Sequence, residues 1–158
     1  MKNTTNTYLT FSLGLEKFAI PVDYVQEVVE LAQVTKVPNS PEYMLGIINL
    51  RGRILPLLDT KLKLGLTATE HSRKSRIMVL DLMLSDDKNL QIGAMVDQAR
   101  EVVELHHSEI QDAPEFEDLK TVAPITGIVN KQGDITMIMD IARVFSSNEV
   151  LELKKSLN

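Results

Sequence analysis

Residues Gly46–Asp59 read GIINLRGRILPLLD, and residues Gly127–Asp140 read GIVNKQGDITMIMD. Gly46/Gly127, Ile47/Ile128, Asn49/Asn130, Gly52/Gly133, Ile54/Ile135 and Asp59/Asp140 are the same residue in both stretches. Upstream, Val22–Leu31 (VDYVQEVVEL) and Val96–Leu105 (VDQAREVVEL) agree at seven of ten positions. The chain therefore carries one unit twice, and the second copy is about seven residues longer. A repeat of this length implies two similar substructures rather than a solenoid. It also supplies an internal control. Residues kept in both copies serve the fold, whereas residues that change inside a kept motif are free to serve function.

Within each copy the apolar runs on either side of the Asn-x-x-Gly signal read as a hairpin, with Gly supplying positive φ at the turn. Working outward, Leu9, Phe11 and Leu13 alternate with Tyr8, Thr10 and Ser12, the period of a half-buried strand. Gly14–Lys17 reads as a turn and Phe18–Ile20 as the return strand, ended by Pro21, which lacks an amide hydrogen. A short helical turn from Val22 leads into a β-branched strand over Glu27–Leu31, and Val34–Val37 is a further extended run. Ser40-Pro41 reads as an N-cap and first helical residue, with Gly46 at the helix exit. Asp59 is placed to cap a short helix over Thr60–Leu64, and Asp140 recurs at the same place. Strands are expected at Arg76–Leu84 and Leu90–Val96. Ile110–Val122 is an acidic loop that accounts for the extra length, and residues 148–158 place Val150, Leu153 and Leu157 on one helical face.

Many short strands with Gly/Pro turns predict a mainly β fold of two small barrels, with short helices and a C-terminal helix. The simplest division puts the first barrel at 8–75 and the second at 76–147, cut in the polar connector near 66–75. In the alternative, the first strand crosses into the other barrel. A unit of roughly 75 residues buries only a marginal core alone, so the two are expected to share a hydrophobic interface within a single 158-residue domain.

Composition excludes several classes. With no Cys there are no disulfides, no Cys-ligated zinc and no thiol catalysis, which fits a reducing cytoplasm. With no Trp and 4% aromatic residues the core must be aliphatic. Residues 1–7 lack the apolar stretch of a signal peptide, and no apolar run approaches a membrane span. A net charge of −5 without a dense basic cluster argues against nucleic-acid binding.

A catalytic or metal reading finds little support. His106 and His107 are adjacent and would face opposite sides of a strand, without a third ligand at a familiar spacing. Asp59 and Asp140 occupy equivalent positions, so helix capping explains both without an acid–base role. No phosphate-binding or nucleophile-elbow motif is present. No catalytic, cofactor or metal residue is therefore expected. The informative contrast lies at the hairpin tip, where Leu50 and Arg51 become Lys131 and Gln132. A tip arginine is usually just solvated, yet a rigid turn also presents a guanidinium well.

The series YLTFSLGLEKFAIPV, VQEVVE, VTKVPNSPEYMLGIINLRG and ILPLLD resembles the CheW-type chemotaxis coupling proteins, over about Tyr8 to Phe145. The resemblance implies two five-stranded SH3-like barrels with a shared core. It also implies a non-enzymatic cytoplasmic adaptor, without cofactor, that links the cytoplasmic tip of transmembrane chemoreceptors to the regulatory domain of the histidine kinase CheA. By the same resemblance the protein is a monomer alone and part of larger receptor–kinase arrays. Motif by motif, it assigns partner contacts to Val25 and Glu27, to Val34 and Thr35, to Gly46, and to Asn49, Arg51 and Gly52 of the NLRG turn. No equally sharp motif marks the kinase-facing surface of the second copy. The rival reading, a small β-barrel enzyme or ligand-binding domain, would need a polar pocket with convergent titratable groups.

Overall fold

The structure is a computed structural model that describes residues 5–67, 71–85, 88–112 and 124–145. Eleven strands and two short helices occur among them: β1 (Thr5–Leu13), β2 (Glu16–Pro21), β3 (Val25–Glu30), β4 (Met44–Leu50), β5 (Arg53–Asp59), α1 (Thr60–Lys63), β6 (Arg76–Ser85), β7 (Lys88–Val96), β8 (Gln98–His106), β9 (Gln111–Asp112), β10 (Ile125–Lys131), β11 (Asp134–Met139) and α2 (Ile141–Phe145). The expected C-terminal helix and most of the acidic loop lie outside the described residues.

The strands form two sheets, ordered β3-β6-β7-β5-β4 and β8-β1-β2-β11-β10-β9. A cut near 66–75 does not separate them. The β1–β2 hairpin of the first copy pairs with β8 and β11 of the second, and the β6–β7 hairpin of the second copy pairs with β3 and β5 of the first. The exchange therefore involves whole hairpins, not the first strand alone, and it is reciprocal. The junctions show why. Only Asp97 separates β7 from β8, and one residue is too short to reverse a strand, since the tightest common hairpin loop has two. The chain must run on into the other sheet. The equivalent junction, a single 3-10 turn at Val22–Tyr24 after Pro21, does the same.

The two sheets repeat each other in detail. Ladder irregularities fall at Val25/Glu27 in one and opposite Ala99–Val102 in the other, and at Met44/Gly46 and Ile125/Gly127. Parallel pairing of Leu57 with Gly93 is matched by Ile138 with Ala19. The second sheet carries one strand more than the five expected, because β9 pairs with β10. Ser40-Pro41 does not start a helix. Three residues separate Ser40 from β4, too few to offset helix nucleation. The segment forms turns instead, with Ser40 Oγ donating to the Val37 carbonyl and the Met44 amide to the Pro41 carbonyl. Both aspartate caps are formed: Asp59 accepts from the Lys61 and Leu62 amides at 2.9 and 3.3 Å, and Asp140 from Arg143 at 3.2 Å.

Each sheet curls around its own small apolar interior. Ile48, Leu55, Leu57, Ile77, Val79 and Met95 fill the first, and Tyr8, Ala19, Leu105, Val129 and Ile138 the second. The largest cluster belongs to neither. Leu9, Phe11, Leu13, Phe18 and Ile20 from one sheet pack with Leu58, Met78, Leu80, Leu82, Leu90 and Ile92 from the other. Phe11 and Phe18 stack within it at 5.9 Å between centroids. Most apolar burial is thus shared, and neither barrel retains enough core alone. Denaturant unfolding is expected to be one transition, coincident by far-UV dichroism and by an introduced fluorophore. Two separated transitions would show that the barrels unfold independently.

Candidate functional site at the mouth of the first barrel

The β4–β5 hairpin closes in two residues, Arg51 (φ 51°) and Gly52 (φ 87°), flanked by paired Leu50 and Arg53. Positive φ at both positions defines the primed turn that matches strand twist. Asn49 Oδ1 accepts from the Gly52 amide at 2.8 Å. The β10–β11 turn is its duplicate, with Gln132 at 54°, Gly133 at 88° and Asn130 Oδ1 on the Gly133 amide at 2.9 Å. Asn49 and Gly52 are thus explained by turn geometry, and the side chain at position 51 is the free variable.

That side chain is fixed. Arg51 Nη1 and Nη2 donate to Glu27 Oε2 and Oε1 at 2.8 and 2.6 Å, a bidentate fork from the hairpin tip to β3. Arg51 stays 66% exposed and Glu27 27%. The Arg51 hydrogen bonds hold the Glu27 carboxyl below its ordinary value of 4.5, with burial opposing them and the charges of Arg51 and Arg53 adding to them, and Glu27 raises Arg51 in turn. A depressed carboxylate pKa means that the contribution of the pair is present above the ordinary value and lost as pH falls through the folded one. A carbon-detected titration of Glu27 is expected to show a midpoint below 4.5, returning toward it in Arg51→Gln. A parent midpoint at or above the ordinary value would refute the fork in solution.

A period of two along each strand places polar residues where the apolar columns of the first barrel end. Leu57 and Leu55 continue to Arg53, Ile77 and Val79 to Asp81, Met95 and Gly93 to Gln91, and Val29 to Glu27. Arg53 Nη1 donates to Gln91 Oε1 at 3.0 Å, and Asp81 pairs across the ladder with Gln91. One oxygen of Asp81 is buried without a hydrogen-bond partner among the described residues. The motif-based reading did not name Arg53, Asp81 or Gln91; the strand phase set by Leu55 and Leu57 was the signal that could have found them.

Val34, Thr35 and Gly46 form a second group. Thr35 and Ile47 exchange backbone hydrogen bonds of 2.9 and 2.8 Å, which lays the 34–35 segment directly over Gly46. A Cβ on Gly46 would sit 2.3 Å from the Thr35 carbonyl oxygen. Gly46 is therefore needed for close backbone approach and lies in a strand, not at a helix exit. Val25 stands apart from both groups, packed against the core shared by the barrels.

The mouth of the second barrel differs. Lys131, at the place of Leu50, reaches Glu109 at 3.4 Å, and Lys17 pairs with Asp134. Glu101, at the place of Glu27, is exposed. A cavity of about 130 Å³ opens there over Val103, Leu105 and Val129. His106 caps the following 3-10 turn, its Nδ1 accepting from the Ser108 amide at 3.1 Å while Glu109 bonds the His106 amide. Among the described residues no group of three or more His, Asp or Glu is placed to hold a metal, and no helix is long and apolar enough to cross a membrane.

Two fused barrels, the first presenting an oriented arginine at a polar, ion-paired mouth, have the form of a docking module. Residues 7–149 match the CheW-like domain, and the chain belongs to that family. It is 29% identical over 153 residues to the chemotaxis protein CheW of Bacillus subtilis, covering 97% of this chain and 91% of the relative. It is 33% identical over 128 residues to CheW of Helicobacter pylori, covering 80% and 73%. A crystal structure of the scaffolding protein TtCheW from Thermoanaerobacter tengcongensis superposes with a TM-score of 0.77 at 29% identity, over 92% of this chain and 96% of that one. The protein is a chemotaxis coupling adaptor and not an enzyme.

Proposed function

We propose that this adaptor joins the cytoplasmic tip of chemoreceptors to the regulatory domain of the histidine kinase CheA, in the cytoplasm, with the mouth of the first barrel as the receptor-facing groove. The observation that carries this reading is the Arg51–Glu27 fork, which holds a guanidinium two-thirds exposed on a rigid turn in one barrel only. Preorganised exposed arginines are favoured anchors in interfaces. The contact residues of this reading are Val25, Glu27, Val34, Thr35, Gly46, Asn49, Arg51 and Gly52, and five of them divide by role. Arg51 and Glu27 face the partner, whereas Gly46, Asn49 and Gly52 hold the backbone that presents them. The protein itself is a monomer that enters larger receptor–kinase arrays through its partners.

The test is calorimetric titration of the purified chain with a receptor tip fragment and with the kinase regulatory domain, separately and together. Binding to each alone and to both at once is expected. Failure to bind either, or strict competition between them, would overturn the coupling role.

A further inference from the structure

Arg53 presents a cation that the fold does not neutralise by contact. It is exposed, its hydrogen bond goes to the neutral Gln91, and it joins no ion pair among the described residues. The repeat shows how the same geometry looks when it is closed. The positions of Arg53 and Gln91 are taken in the second barrel by Asp134 and Lys17, which form an ion pair directly. At the first mouth the two acids are otherwise placed. Glu27 is already engaged by Arg51 through both of its oxygens, and Arg53 acts on it only through its field, as the smallest of the causes that shift Glu27. Asp81 lies beyond Gln91, its cross-strand partner, so that Gln91 stands between it and Arg53. A guanidinium held in place on a strand, with a neutral partner and no carboxylate of its own, is left to pair with a carboxylate from outside the chain.

We infer that Arg53 is a second partner-reading residue of this mouth, donating from its remaining N–H groups to a carboxylate on the receptor tip. This inference rests on the docking reading above. It adds a chemical requirement on the partner, an acidic side chain beside its contact with Arg51. A guanidinium has five donors, and the Gln91 bond uses one.

The experiment measures affinity for the receptor tip fragment at low and at physiological salt. It compares the parent chain with Arg53→Gln, Arg53→Asp and, as a matched charge change on the other barrel, Lys131→Glu. Arg53→Asp is expected to bind about tenfold more weakly at low salt, Arg53→Gln about threefold, and both losses should shrink as salt screens the contact. Lys131→Glu should bind like the parent. Thermal melts confirm that the variants fold. If Arg53→Asp binds no more weakly than Lys131→Glu, while Arg51→Glu does lose binding, the role of Arg53 is overturned and the docking reading stands. If Arg51→Glu also binds like the parent, both are overturned.

Discussion

Arg51→Glu is expected to lower affinity for the receptor tip by at least about tenfold, as for a central interface arginine. It should melt within a few degrees of the parent chain. The two halves of this expectation have separate causes. Arg51 is exposed and supports no core, and exposed ion pairs contribute little to folding. Its guanidinium, however, is already oriented by Glu27, so a partner does not have to order it on binding. Gln132→Glu places the same carboxylate on the duplicate turn, where φ is 54° against 51°, with half the change in charge. It should affect receptor binding much less. A third variant separates direct contact from shaping of the mouth. Glu27→Arg combined with Arg51→Glu can rebuild the fork with its sense reversed. If the partner reads the charge of Arg51, the swap restores the pair but not binding. Parent-like affinity in Arg51→Glu would remove Arg51 from the contact surface.

Gly46→Ala is expected to cost about 3 kcal/mol of folding stability, combining overpacking with backbone strain. The added methyl would meet the Thr35 carbonyl at 2.3 Å and Val34 Cγ1 at 2.7 Å, and backbone cannot yield as a flexible side chain can. The residue also has φ of 149°, which side-chain-bearing residues rarely adopt. Gly52→Ala is the comparison. Nothing lies within 4 Å of its position, so only the φ of 87° opposes the change, and a loss of about 1 kcal/mol is expected. Denaturant unfolding of both variants gives the two numbers. Displacing the 34–35 segment should also weaken docking in Gly46→Ala, as a consequence of misfolded geometry. A Gly46→Ala chain as stable as the parent but deficient in binding would reverse this assignment and make the glycine a site for close approach of the partner.

Much of this was legible from local sequence because it depends on local chemistry. Asn49 and Gly52 interact over three residues, as do Asn130 and Gly133, so the turn is written in one short motif and confirmed by its copy. Asp59 and Asp140 cap the residues that follow them directly. The alternation in β1 and the apolar runs of β5 and β6 mark strands for the same reason. The Ser40-Pro41 expectation failed because a good cap cannot make a helix without residues to continue it. The family resemblance brought Arg51 and Glu27 into consideration together, although nothing within 27–51 says that they touch.

The repeat by itself determined that there are two like barrels, which turns they use, and where the copies diverge. Only the tertiary structure decided which hairpin belongs to which barrel. Because the copies carry the same apolar pattern, pairing within a copy and pairing between copies look alike in sequence. The difference arises from the one-residue junction at Asp97 and from contacts between residues such as Thr10 and Glu101, 91 positions apart. The tertiary structure alone likewise set Arg53, Asp81, Gln91 and Glu27 around one mouth. They come from four strands, and a ring of residues exists only once the sheet that carries them has curled.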